Sequence, residues 1–471
     1  VEKTVIVKET VETEVEVEVE KTVEVEKLVE VERTVEVEVE KEVVLIKGQP
    51  VWSAPDFSGK EYKFWGLQFD PHIAAYERLA ASFEELTGAK ATIEPQSNVS
   101  ASLLTAIATG DPPDVICAKG DMVSTLAPEG AILPVDDTVF ATTGCDPDTW
   151  FYPNAYQAYQ FEGQTWGVPT EASNSCCVVN VHLDMLDAAD ADVQAMWPPN
   201  QGNVGFESFE DMWTLAENLQ ETDEDGNVVT WGLSSKDFAT DGHLLGIMRT
   251  LGQPWWDLDK QTFYLDSDEA LEAMRLLVTI PVFELGIETQ LADMSGFELF
   301  AGKVAVAVGH YVYSSLGREQ GVRVDIGGYP SAFKGRKPLF VGEAGWGFMV
   351  PSTAKEIELG TEFLKYVTTY EGNKEYCYIY GGQISSVPAV MQDPELFPPG
   401  DYVADAFRRC ADLQWDCDFM GEGFGNVSEA RSLINNNITA VRTGDLTDRE
   451  ACLEIQAGLI EGLERYKELG S

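Results

Sequence analysis

The first 47 residues alternate almost without interruption between aliphatic and charged side chains: VEKTVIVKETVETEVEVEVEKTVEVEKLVEVERTVEVEVEKEVVLIK. Sixteen of the odd positions from Val1 to Leu45 are aliphatic, interrupted mostly by Lys3, Lys21, Lys27, Arg33 and Lys41, while fourteen even positions carry Glu. Successive side chains of a β-strand point to opposite faces, so the pattern writes one valine face and one glutamate face. A helix would spread the same valines around its whole circumference. From Val17 to Thr34 the period sharpens to six residues, VEVEKT, VEVEKL, VEVERT, which permits pairing in registers offset by six. Fully extended, the segment reaches ~150 Å at ~3.3 Å per residue.

A lone strand of that length cannot bury its valine face, and only water would satisfy its backbone groups. Two readings stay open. High charge and low complexity favour a solvated, Glu-rich stalk. Valine at every second position favours β-pairing between copies. In the second reading Val17, Val19, Val23, Val25, Val29, Val31, Val35 and Val37 form the assembly face, and the chain is a homo-oligomer or filament joined through residues 1–47.

From about Gly48 the composition becomes that of a globular protein, with Trp, Pro, Gly and Cys appearing. The formal net charge of −48 makes nucleic acid and anionic lipid unsuitable partners, because phosphate repels such a chain. It suits a saline or extracellular setting, where screening at ~0.15 M shortens self-repulsion to under ~10 Å. No stretch approaches the ~20 apolar residues of a membrane span, and none reads as a signal peptide. The expectation is therefore a mature exported chain, extracellular or at the cell surface; a first residue of Val1 rather than Cys gives a lipid anchor no support. Eight cysteines permit disulfides, and the spacing of Cys410 and Cys417 suits a short closed loop. None forms a CxxC, a haem-attachment motif or a zinc cluster with His, so no metal and no cofactor is expected. The sequons at Asn98, Asn426 and Asn437 fit an exported chain, but such triplets are common by chance and give glycosylation only weak support.

Residues 61–180 alternate strand and helix. YKFWGLQF reads as a strand, PHIAAYERLAASFEEL as a helix, KATIEP as a strand, SASLLTAIATG as a helix closed by Gly110, PPDVICA as a buried strand, and DMVSTLAPEG as a helix ending at Gly130. This βαβαβα run implies an α/β fold with a parallel sheet, whose ligands bind beyond the strands' carboxyl ends near Leu67–Asp70 and Ala118–Asp121. After a helical stretch the strands return as KVAVAVG, RVDIGGYP and GWGFMVP, and the remainder is mostly helical. A chain that leaves an α/β lobe, returns and leaves again has two lobes joined by more than one crossing.

Five blocks in order carry a resemblance to the type 1 extracellular solute-binding proteins of ABC importers, the class typified by maltose-binding protein. They are FWGLQFDPHIAAYERLAASFEELTG, TGDPPDVICAKGDMVSTLAPEGAILPVDD, YPNAYQAYQFEGQTWGVPTEASNSCCVVNVHL, FELFAGKVAVAVGHYVYSSL and GEAGWGFMVPSTAKEIELGTEFLKYV. The resemblance runs from about Lys60 to Tyr466 and leaves the N-terminal extension outside. It implies a two-lobed fold whose interlobe cleft closes on a sugar or oligosaccharide by hinge motion, without chemistry, and delivers it to an ABC importer permease. The organisation expected is an extension at 1–47, a linker at 48–57, one lobe from 58–168 with 303–344, and a second from 172–300 with 346–471.

Sugar rings present apolar C–H faces and hydroxyl edges, so such a cleft needs flat aromatic rings with amide and carboxylate groups beside them. Trp65, Asp121, Glu171, Tyr311 and Trp346 fall where strands or crossings end. Each also has a plainer reading. Trp65 fits a core as well as a cleft, Asp121 fits a helix N-cap, and Glu171 fits a hinge hydrogen bond. Tyr311 takes the family's ring-stacking position, as the resemblance implies, and the glycines flanking Trp346 allow close approach of a ligand. Trp255 and Trp256 line the second lobe or cap a helix end; Gln68 and Gln383 complete the candidates. Enzyme readings find no footing: the four His residues form no HExxH, and there is no GxSxG or P-loop.

Overall fold

The computed structural model describes residues 5–12, 36–43, 49–172, 178–235, 240–291, 295–341, 345–378, 384–412, 416–418, 424 and 426–469. The chain forms two compact units, Val1–Gln49 and Pro50–Ser471. In the first, strand Val5–Glu12 pairs antiparallel with strand Glu36–Val43. Val5 stands opposite Val43 and Val11 opposite Val37, while Lys8 faces Glu40 and Glu12 faces Glu36. Every pair joins two odd or two even positions, so the valine-bearing face of one strand continues into that of the other; a one-residue slip would break this match. These strands pair within the chain, as a hairpin. Of the eight expected assembly positions Val37 lies in the second strand; Val17, Val19, Val23, Val25, Val29, Val31 and Val35 lie outside the described residues.

The second unit begins as the alternation of strand and helix implies. Strand Glu61–Leu67 leads into helix Asp70–Thr87, whose His72, Ala75, Tyr76, Leu79, Ala80 and Phe83 make one buried stripe at helical spacing. Pro71 opens that helix, and Gly88 ends it at φ +78°, its N–H donating to Glu84 O. Strand Lys90–Gln96 follows, then helix Val99–Thr109, capped by the Asn98 side chain accepting from the Ala101 N–H. Strand Val115–Lys119 is apolar and buried, as befits a strand covered on both faces. The sheet order is Lys90–Gln96, Glu61–Leu67, Val115–Lys119, Trp346–Met349, Val168–Pro169, with the last two strands joined antiparallel.

A second sheet has the order Glu221–Thr222, Val228–Ser234, Val304–Gly309, Val178–His182, Val324–Gly328. This corrects the expected division of the chain. Strands Val304–Gly309 and Val324–Gly328, within the span 303–344 assigned to the first lobe, pair with Val178–His182 in the second sheet. Trp346–Met349, assigned to the second lobe, pairs in the first. The segment after it stays there: Phe363 packs against Tyr62, Phe64, Phe83 and Phe348, and the Trp150 indole donates to Thr368 O. The chain then returns to the second sheet, where Arg409 on helix Tyr402–Asp412 bonds Asp325 and Ile326 O. Helices Val427–Thr443 and Asp448–Leu469 complete that lobe's core through residues such as Ile434, Ile438, Ile455 and Leu459. Among the described residues the chain thus passes between the two sheets three times, once more than the family-like blocks mark. A short buried run of Val and Ala fits either sheet; long-range pairing assigns it.

Candidate functional site

The first crossing is held by backbone and small polar groups. Thr170 donates from both N–H and hydroxyl to Trp346 O, and the Glu171 N–H reaches the same carbonyl at 3.1 Å. Ala172 N–H donates to Ile384 O, Ser386 N–H to Thr170 O, and the Ser386 hydroxyl to Pro169 O. Into this junction points the Glu171 carboxylate, 1% exposed. Its two oxygens accept the phenols of Tyr311 at 3.1 Å and Tyr376 at 2.9 Å. The three residues come from the first crossing, the end of strand Val304–Gly309 and helix Tyr370–Tyr378, so one buried carboxylate ties both lobes together at the crossing. Charge-assisted bonds of this kind are short and strong, and they compensate the burial of the charge.

A second contact joins the two lobes after the central strand of the first sheet. Asp121 follows strand Val115–Lys119 in a tight turn, Gly120–Met122, with its side chain 8% exposed. One of its oxygens is paired with the Arg431 guanidinium; the other, Oδ1, is buried without a hydrogen-bond partner among the described residues. Arg431 Nε also lies 3.0 Å from Asp241 Oδ2, at the start of helix Asp241–Leu251. Asn435, one turn beyond Arg431, donates to Asp241 Oδ1 and accepts from the Asp241 N–H. Burial raises the Asp241 carboxyl above its usual range, with Arg431 and Asn435 opposing.

The aromatic groups stand nearby. Trp346, 7% exposed, is met edge-on by His72 at 4.9 Å, and Lys119 Nζ lies 5.4 Å from its ring centre. His72 Nδ1 is 3.0 Å from the Tyr76 hydroxyl, and His310 packs against Tyr311 at 4.6 Å. Burial, with Lys119 and for His72 also His310 nearby, depresses both imidazoles to about 3. A groove of about 270 Å³ opens between Ser124, Thr125, Pro128 and Glu129, in the segment that follows Asp121, and Asn426, Glu429, Arg465 and Tyr466. It adjoins a larger groove of about 510 Å³ along the two C-terminal helices, bounded by Phe424.

The structure thus gathers Asp121, Glu171, Tyr311 and Trp346 at one seam. Tyr311 is 1% exposed, bonded to Glu171 and packed edge-on against Phe407. The Trp65 indole donates to Glu94, with its ring in the first lobe's core. Trp255 and Trp256 are buried against Phe263 and Phe424 in the second core, supporting the groove's wall from behind. Gln68 is exposed past the end of its strand, and Gln383 lies outside the described residues. Cys410 is buried; the side chain of Cys417 lies outside the described residues. Sequence reasoning missed Arg431, Asp241, Asn435 and Tyr376. The available signal was polar Arg431 and Asn435 four apart on an otherwise amphipathic helix, a spacing that puts both on one face.

Among the described residues no helix is long and apolar enough to cross a membrane, and no cluster of His, Cys, Asp and Glu is arranged to hold a metal. No curated protein matches the sequence significantly. Solved structures share the fold. The sugar-binding protein MalE from Xanthomonas citri superposes with a TM-score of 0.68 at 14% identity, covering 87% of this chain and 99% of its own. An ABC substrate-binding protein from Listeria monocytogenes in complex with cycloalternan gives 0.67 at 19%, covering 85% and 98%. The maltose/maltodextrin-binding domain MalE from Bdellovibrio bacteriovorus bound to maltotriose gives 0.66 at 15%, covering 86% and 100%. The family model for bacterial extracellular solute-binding proteins matches residues 78–399, more than half of the sequence. With two sheets joined by chain crossings and that match over most of its length, the chain belongs to the bacterial extracellular solute-binding protein family.

Proposed function

We propose that the globular unit captures a sugar or oligosaccharide between its lobes, closes on it by hinge motion and presents it to an ABC importer from outside the cell. The observation that supports this reading is the seam itself: Asp121 meets Arg431 of the other lobe, the Trp346 ring lies against Lys119 two residues before Asp121, and a groove lined from both lobes opens just beyond that turn. Hydroxyl edges and C–H faces of a sugar call for that pairing of carboxylate and ring. The similar structures bound to maltotriose or cycloalternan support the same solute class. Glu171 with Tyr311 and Tyr376 supplies the pivot. Calorimetry against a panel of neutral oligosaccharides tests the reading, with Trp346→Ala expected to lower affinity by about 1–3 kcal/mol. Binding of a peptide or an inorganic anion but no sugar would reject it.

A second role rests on the N-terminal hairpin. It sets Val5 opposite Val43 and Val11 opposite Val37, and a two-stranded ribbon in general offers edge groups to which further strands can add. We propose that further copies add to those edges, so that residues 1–47 join molecules into an oligomer or filament. A six-residue offset keeps the valine face together while moving cations along the partner. Electron microscopy with and without the extension is the measurement. Fibres in both preparations, or in neither, would remove the proposal. Val11→Asp with Val37→Asp should abolish assembly and leave solute binding intact.

A further inference from the structure

Arg431 is anchored in one lobe and reaches into the other. Its helix, Val427–Thr443, is part of the second lobe's core, as is helix Asp241–Leu251. Asp241, fully buried, lies 3.0 Å from Arg431 Nε and is itself bonded twice by Asn435, so the guanidinium is held from behind by groups of its own lobe. A second edge of the same guanidinium, Nη1, meets Asp121, which belongs to the turn after the first sheet's central strand. The planar fork of Arg suits this two-sided contact; a Lys ammonium has no second edge to offer. With Asp121 8% and Arg431 24% exposed, the pair is only partly reached by solvent, where a charge-assisted bond retains much of its strength.

We propose that Arg431 is a positioning residue that draws the lobes together before any solute arrives, and that it holds Asp121 so that Oδ1 faces the solute as a ready acceptor. The first part stands on the interlobe contact alone; the second rests on the solute-binding reading above. Asp241 and Asn435 fix the guanidinium, and Asp121 is the partner lost when the lobes part. Closure then starts from a half-made seam, which reduces the ordering that solute binding has to supply.

The test uses the full chain without solute, so it remains interpretable whatever the solute proves to be. Hydrogen exchange is followed in peptides covering Gly120–Leu126 at the seam and Leu359–Val367 in the first lobe's core, for the unmodified chain, Arg431→Met, Asp121→Asn and the double variant. Each single variant should exchange about tenfold or more faster at the seam, with the core peptide unchanged. The double variant should add nothing further, because both changes break one bond. Arg431→Lys should recover part of the protection. Unchanged seam exchange, equal acceleration in the core peptide, or additive effects in the double variant would overturn the proposal. Asp121→Asn is nearly isosteric, so it still decides the matter if Arg431→Met does not fold.

Discussion

Acid should destabilise this protein through three imidazoles that folding buries. His72 and His243 are buried and His310 is partly buried, and burial depresses each to about 3, against about 6.5 in an unfolded chain. Between those values the unfolded chain binds protons that the folded chain refuses. Stability is therefore level above about pH 7.5, falls as pH drops below about 6.5, and stops falling on this account near pH 3. At pH 5 each imidazole costs about 2 kcal/mol, or about 6 kcal/mol together, which is a large part of an ordinary domain's stability. Urea unfolding at pH 7.5, 6 and 5 at constant ionic strength measures the slope. The other titrating groups contribute equally to each variant, so the informative quantity is the difference: His72→Gln, His243→Gln and His310→Gln should each flatten the loss between pH 7.5 and 5 by about 2 kcal/mol. A constant cost of substitution shifts the curve without changing that slope. If the variants lose stability with acid as steeply as the unmodified chain, these imidazoles are hydrated in the native state and the seam is not closed as described.

Three further substitutions probe the frame. Glu171→Ala leaves the buried Tyr311 and Tyr376 phenols without their acceptor, at about 1–3 kcal/mol each, and Glu171→Gln should restore part; a melting temperature unmoved by the Ala change would dismiss the carboxylate as the pivot. Gly347→Ala would drive a methyl against the Tyr159 hydroxyl and the Val168 carbonyl, lowering stability by about 1–3 kcal/mol in chemical denaturation, whereas an unaltered midpoint would mean that the backbone there yields. Arg442→Met strands Glu288, its buried partner at 2.6 Å, and should cost about 3–5 kcal/mol; pairing it with Glu288→Gln should recover much of the loss, and no recovery would mean packing, not charge, is at stake.

Local signals were enough for most of the elements. The stripe from His72 to Phe83, the stops at Gly88 and Gly110 and the apolar run Val115–Lys119 each follow from period, capping and burial, which neighbouring residues encode. The alternation of Val and Glu likewise dictates strand in the extension, and its parity dictates which residues can face each other. The ends of predicted strands and crossings singled out Asp121, Glu171, Tyr311 and Trp346 as candidates.

What only the tertiary structure decided is membership and pairing. Val304–Gly309 is buried on both faces and reads the same in either sheet; Val178–His182 on one side and Val228–Ser234 on the other place it in the second. Tyr311 reads as a ring for stacking until Glu171 takes its hydroxyl. Arg431 reads as one more cation on an amphipathic helix, because its partner Asp121 lies 310 residues away. Period and capping act within a few residues, so a sequence states which face of an element is buried. Which distant surface buries it, and which charges then meet there, is determined only when packing has excluded water and brought both lobes' strand ends together.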